Sequence, residues 1–242
     1  MIRIYADREA LSRAAAELVT DQAHAAVRDR GRFCVALAGG ETPLRSYELL
    51  AHPPLRNRIR WERVHVFWGD ERCVPSRDLR NNASMARRAL LDHVPLTASQ
   101  IHPINCVNTA AEAAREYEVL LRSSCAGYGP GFDLVLLELG EDGHTAALLP
   151  GTAAVEEQKR WVIAVHPPGH ELQRVTLTAP FINRAKMVAF LVAGAASAAI
   201  LRAVLEGPPE PARLPAQLIH PENGELLWLV DREAASLLSR TE

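Results

Sequence analysis

The residues best suited to chemistry are a carboxylate and an imidazole two positions apart, Asp142 and His144, in the stretch FDLVLLELGEDGHTAALLPG. An imidazole titrates near neutrality, so His144 can take a proton from water or a hydroxyl, and Asp142 can orient the ring or stabilise its charged form. Both residues also have plainer uses, Asp142 as a helix N-cap and His144 as a histidine satisfied within the core. The stretch reads as a buried strand (Phe132 to Leu139), a tight turn (Gly140 to Gly143) and the start of a helix that ends near Pro150. If the strand is parallel to its neighbours, the turn lies at the carboxyl edge of the sheet. Open α/β sheets bind ligands at that edge because loops converge there over helix N-termini.

Two more loops are predicted at the same edge. AGGETP carries Gly39, Gly40 and Thr42 at the start of a helix, where free backbone N–H groups attract an anion and the glycines let it come close. Phosphate is the natural ligand, although an ordinary glycine turn with a threonine cap has the same sequence. The loop is neither a Walker motif nor a full GxGxxG, so support for a nucleotide is weak. GDERCVP supplies Asp70, Glu71 and Arg72; the planar fork of Arg72 suits a phosphate or carboxylate, and a local ion pair is the alternative. No metal site is expected. His166 and His170 are four apart, but Pro167, Pro168 and Gly169 between them rule out a helical pair, and HExxH is absent. With no GxSxG elbow and no Cys with an evident His partner, water is the expected nucleophile.

These loops need strands and helices to hold them. Strands are predicted at Ile2–Tyr5, Phe33–Ala38, Val64–Trp68, Phe132–Leu139, Trp161–Val165, 174–178, Met187–Ala193 and Leu226–Val230. Between them come helices from Asp7 to Gly31, from the Thr42-Pro43 cap to Leu50, from Asn82 to Leu91, from a Thr109/Glu112 capping box through Arg122, from Ala195 to Glu206 and from Arg232 to Leu238. Continuously apolar strands alternating with helices predict an α/β fold: a single-domain, Rossmann-like three-layer sandwich whose mostly parallel sheet is covered by helices on both faces. One domain is expected to span residues 1–242.

Composition narrows the function. The chain has 242 residues, 48% hydrophobic and 23% charged, with a net charge of −2, so a large core is affordable and no basic footprint for nucleic acid or acidic membrane is present. The longest mostly apolar uncharged run, Met187 to Leu201, is shorter than the roughly 18 to 20 residues of a membrane span. The N-terminus does not read as a signal peptide. Cysteines 34, 73, 106 and 125 are widely spaced and form no CxxC, so reduced thiols in a cytoplasmic protein are expected.

Taken together, AGGETP, GDERCVP with Asn82, ELGEDGHTAALLPG, RVTLTAPFIN and LPAQLIHPENGELLWLVD resemble the 6-phosphogluconolactonases in order and spacing, over nearly the whole chain. The GxDGH element is shared with the related glucosamine-6-phosphate deaminases. The resemblance implies hydrolysis of 6-phospho-D-glucono-1,5-lactone in the oxidative pentose phosphate pathway, with no cofactor and a sugar phosphate as the small-molecule partner. His144 would be the general base acting on water, with Asp142 beside it. Gly39, Gly40, Thr42, Asp70, Arg72 and Arg174 would hold phosphate and sugar. A monomer is slightly favoured.

Two departures from the family pattern stand out. Ser197, in Gly194-Ala195-Ala196-Ser197, replaces a lysine, and Glu138 replaces a glycine two residues before Gly140. Arg184 and Arg202 are candidates to supply the missing charge. Ala147 and Leu148-Leu149 are milder changes. The deaminases carry a Glu where this chain has Leu149. A sugar-phosphate deaminase or isomerase, or a binding relative without catalysis, are the alternative readings.

Overall fold

The computed structural model describes residues 1–125, 131–167, 169 and 171–239. Pro168 and His170 lie outside the described residues. The chain opens with β1 (Ile2–Tyr5) and α1 (Arg8–Arg30). The Asp7 carboxylate accepts from Ala10 N at 2.8 Å to start the helix, and Gly31, in the left-handed region, ends it by donating to the Val27 carbonyl. Leu11, Ala15, Val19, Ala23 and Ala26 recur at helical spacing and are buried. Next come β2 (Phe33–Leu37), α2 (Glu41–Leu50), α3 (Leu55–Arg58), β3 (Val64–Trp68), β4 (Asp70–Arg72), α4 (Asn82–Ala89) and α5 (Ala110–Cys125). The second half holds β5 (Leu134–Glu138), α6 (Ala153–Glu156), β6 (Val162–Val165), β7 (Arg174–Leu177), α7 (Ala179–Ile182), β8 (Met187–Val192), α8 (Ala198–Glu206) and β9 (Glu225–Asp231).

Six strands form one sheet in the order β1-β9-β8-β5-β2-β3, and every pairing in it is parallel. β2 and β8 are buried along their whole length and β5 up to Glu138, which fits a sheet covered on both faces. The fold is the expected α/β sandwich. Chain direction across the sheet reverses at β2: β3 lies on one side of it and β5 on the other, which makes the carboxyl ends of β2 and β5 a topological switch point.

Several elements differ from the sequence reading. The strands at 162–165 and 174–177 are not in the main sheet; with β4 they form a second, antiparallel sheet in the order β4-β7-β6. Gly69 to Arg72 is accordingly not a plain loop, since Asp70–Arg72 pairs with β7 residues more than a hundred positions later. Three polar residues carry no local strand signal, and only the distant partner defines them. α2 begins at Glu41 with Gly40 at its N-cap, two residues earlier than a Thr42 cap would place it. The C-terminal helix shrinks to a 3-10 turn at Ala234–Leu237. Cys73 and Cys106 are joined in a disulfide with Cα atoms 5.1 Å apart, where reduced thiols were expected; the two are 33 residues apart and only the tertiary fold brings them together. Cys34 is buried.

Two tyrosines close the ladder where strands end. Tyr47 Oη donates to the Ala38 carbonyl at 2.9 Å and accepts from Ala38 N at 3.1 Å. Tyr117 Oη does the same for Trp68, at 3.1 and 2.9 Å. All four residues are buried, so no water replaces a lost hydroxyl. Tyr47→Phe should therefore lower unfolding free energy by about 1–3 kcal/mol in urea denaturation, the cost of orphaning buried backbone groups. A loss below about 0.5 kcal/mol would mean that Ala38 finds other partners.

Candidate active site

The crevice at the switch point is lined by Gly39, Gly40, Asp70, Arg72, Asn82, Glu138, Gly140, His144 and Arg174. Its first wall is the start of α2. Gly40 at the N-cap has no side chain to cap this helix, so its first N–H groups are left to partners from elsewhere, either a neighbouring side chain or an anion. Gly40 has φ +100°, and a Cβ there would lie 1.7 Å from Glu138 Oε2. A Cβ on Gly39 would meet Asn82 Oδ1 at 2.1 Å. The positive φ favours glycine at 40, and at both positions the missing Cβ leaves room for the end of a polar side chain from another element. Thr42 is buried within the first turn, and its backbone N–H acts on the Glu138 carboxyl group to oppose the rise that burial imposes.

β4 and α4 form the second wall around one buried carboxyl group. Glu71 accepts from Arg72 N at 2.8 Å, Asn82 N at 2.8 Å and Ala83 N at 2.9 Å, tying the strand to the start of α4. Burial pushes its carboxyl up to about 7, against the pull of these three donors. Asn82 then accepts from Arg72 Nη1 at 2.8 Å and donates to the Asp70 carbonyl at 3.0 Å, which fixes the guanidinium. Asp70 is buried; its carboxyl is raised by desolvation, and the charges of Arg174, Arg72 and His144 oppose that rise. Arg174, on β7, is brought opposite Arg72 by the β4–β7 pairing.

The third wall is the turn after β5. His144 Nδ1 lies 2.5 Å from Asp142 Oδ1, a short contact, and the same oxygen accepts from His144 N at 3.0 Å. Burial raises the Asp142 carboxyl, but the hydrogen bonds from the His144 ring and backbone outweigh it and hold the group below its ordinary range. With Nδ1–H directed at a carboxylate, Nε2 is left as the basic nitrogen. A Cβ on Gly140 would sit 2.1 Å from His144 Nδ1, so the ring lies directly over that glycine. The segment beyond does not form the predicted helix. Gly143 (φ +82°) and Ala146 (φ +50°) are left-handed, Gly140 N donates to the His144 carbonyl at 2.9 Å, and Thr145 Oγ1 donates to the Glu138 carbonyl at 2.8 Å. The turn folds back on β5, and Asp142 caps the turn and not a helix.

All eight residues singled out by sequence gather around this crevice: Gly39, Gly40, Asp70, Arg72, His144 and Arg174 line it, Thr42 stands in its cradle and Asp142 holds the histidine. Glu71 and Asn82 position these groups, a role that only the tertiary hydrogen bonds reveal. The missing lysine is a separate matter. Arg184 stacks over the Trp161 ring at 4.8 Å, and Arg202 Nε sits 3.6 Å from Glu206. Arg8 instead reaches the loop. Its Nη1 lies 3.0 Å from Glu41 Oε2, and its Nη2 lies 3.5 Å from where a Cβ on Gly194 would be. One guanidinium therefore stands between the α2 loop and the turn that carries Ser197.

This fold and crevice define a class. Residues 6–228 match the family model of glucosamine-6-phosphate isomerases/6-phosphogluconolactonase, and the chain belongs to that family. Among its relatives, a 6-phosphogluconolactonase of Synechocystis is 39% identical, with 98% of each chain covered. A probable 6-phosphogluconolactonase 1 of Arabidopsis thaliana is 34% identical, with 99% of this chain and 94% of the relative covered. The solved structure of the 6-phosphogluconolactonase from Trypanosoma brucei superposes with a TM-score of 0.87 at 29% identity, covering 99% of this chain and 98% of the other.

Removing the Glu71 carboxyl leaves three buried N–H groups without an acceptor. Glu71→Ala should cost about 3 kcal/mol or more in urea unfolding, whereas Glu71→Gln, which keeps one oxygen, should cost less. Equal and small losses in both would show that the carboxyl does not hold β4 to α4.

Proposed function

We propose that this chain hydrolyses 6-phospho-D-glucono-1,5-lactone to 6-phosphogluconate. The observation that carries the reading is the His144–Asp142 pair facing an uncapped helix N-terminus and two arginines across one crevice, in a chain of this family. A lactone is already an activated ester and needs an oriented water and a proton acceptor. His144 Nε2 takes a proton as water oxygen bonds to C1, and Asp142 stabilises the imidazolium. The C1–ring oxygen bond then breaks and the proton passes from the imidazolium to the departing ring oxygen, so no metal or cofactor enters the balance. Gly39, Gly40 and Thr42 receive the phosphate through backbone N–H groups, with Arg174 and Arg72 along the sugar and Arg8 as the cation beside the loop. Asp70 supplies a negative charge that both crevice arginines feel.

Leu149 is buried and offers no carboxylate where the deaminases carry one, which weighs against that alternative. The intact His144–Asp142 pair, open to the crevice, weighs against binding without catalysis. We read residues 1–242 as one domain acting as a monomer on a small sugar phosphate, and as cytoplasmic, a setting in which the Cys73–Cys106 bridge would be uncommon. Among the described residues no helix is long and apolar enough to cross a membrane.

In an assay corrected for spontaneous hydrolysis, His144→Ala should lower kcat by about 10²-fold or more, the usual scale of general-base help. A wild-type protein that does not speed lactone hydrolysis over buffer would overturn the proposal. Arg8→Ala should raise KM about tenfold, the worth of about 1.4 kcal/mol of charge-assisted contact. Ser197→Lys in that background should recover most of the loss, and an unchanged KM in Arg8→Ala would remove Arg8 from the phosphate site.

A further inference from the structure

Glu138 lines the crevice and has no part in the proposed reaction. It ends β5 at the switch point, where β2 and β5 have parted, and its carboxyl group lies across the start of α2. Oε2 is 1.7 Å, and the carboxyl carbon 2.2 Å, from where a Cβ on Gly40 would be. The same carboxyl is stabilised by the Thr42 N–H, one of the donors that an anion at this helix start would need. Among the described residues it forms no ion pair: Arg72 Nη1 is committed to Asn82 Oδ1 and the Arg80 carbonyl, and Arg8 to Glu41. A group placed so close to Gly40 fills the space that a phosphate would occupy.

We propose that Glu138 is a specificity-determining residue that occupies the anion cradle of the ligand-free protein, and that a phosphate group enters only as this side chain moves aside. The inference rests on the reading of Gly39, Gly40 and Thr42 as the phosphate site. Its physical basis is like-charge exclusion. A phosphate dianion and a carboxylate cannot share a partly desolvated cradle, whereas a neutral acid can rotate away, or donate to a phosphate oxygen, at little electrostatic cost.

The surroundings set when the acid is neutral. Burial raises its carboxyl to about 8, and the charges of Asp70 on β4 and Glu41 on α2 add to the rise; Thr42 N–H and Arg72 oppose it. Tyr47 on α2 also faces it, with its hydroxyl engaged at Ala38. His144 and Arg174 lie across the crevice. Because the carboxyl is raised, Glu138 is neutral below about pH 8 and anionic above it. Phosphate affinity is therefore kept at neutral pH and lost as pH rises through about 8. A phosphate monoester is already a dianion through most of this range, so its own ionisation contributes little.

The test is calorimetric titration of wild type, Glu138→Gln and Glu138→Gly with 6-phosphogluconate, and with gluconate as the ligand without phosphate, at pH 7 and pH 9. Proton linkage to one group near pH 8 predicts that wild type binds 6-phosphogluconate about tenfold more weakly at pH 9 than at pH 7. Glu138→Gln and Glu138→Gly should change less than about twofold over that range, and both should bind about tenfold more tightly than wild type at pH 9. Gluconate binding should not respond to either substitution. The inference is overturned if wild-type affinity is flat with pH, if neither variant binds more tightly at pH 9, or if 6-phosphogluconate binds none of the three proteins. Absence of lactone turnover alongside the predicted binding pattern would instead overturn the catalytic proposal and leave this one standing.

Discussion

The structure depends on how it satisfies backbone groups where two parallel strands part. β2 and β5 pair only through Val35–Leu134 and Ala36–Val135, and beyond those residues the ladder opens into the crevice. Buried peptide groups left unpaired there would each cost free energy comparable to a lost hydrogen bond. The chain answers with side chains and turns. The Tyr47 and Tyr117 hydroxyls serve Ala38 and Trp68, Gly69 N reaches the Leu37 carbonyl at 3.0 Å, and Thr145 Oγ1 takes the Glu138 carbonyl. Each of these bonds ends a strand and aims a loop. The site is in this sense the place where the sheet stops pairing with itself.

Electrostatics follows from the same opening. The crevice gathers Asp70, Glu71 and Glu138 with Arg72 and Arg174 at low exposure, and burial raises all three carboxyl groups. Their fates differ with their donors. Glu71 is tied by three backbone N–H groups and serves as a hinge pin between β4 and α4. Asp70 feels the charges of Arg174 and Arg72, and Glu138 those of Thr42 N–H and Arg72. Asp142, held by the imidazole and backbone of His144, is by contrast pulled below the ordinary carboxylate range, as a partner that stabilises imidazolium should be.

Much of this was legible in the sequence because the signals were local. The Asp7 cap and Gly31 stop bound α1, apolar runs marked the parallel strands, and the three loops at strand ends converged as open α/β topology requires. What escaped were features whose cause lies far along the chain. β4 is a strand only because β7 pairs with it, the Cys73–Cys106 bridge exists only once the fold is made, and Arg8 reaches the α2 loop from the first helix. The segment after His144 misled for another reason. Its alanines and leucines favour a helix, but left-handed Gly143 and Ala146 and the bonds back to β5 override that propensity. Glu138 was visible as an oddity, yet its lodging over Gly40 required the fold.

The central claim is one of polarity: phosphate at the start of α2, the reacting carbon at His144. A crystal structure with 6-phosphogluconate bound tests it most directly. The account predicts phosphate oxygens on the N–H groups of the Gly39–Thr42 loop, Glu138 displaced from Gly40, and the C1 carboxylate within about 3.5 Å of His144 Nε2. A product bound the other way round, or one that leaves Glu138 over Gly40 with the phosphate elsewhere, would contradict it.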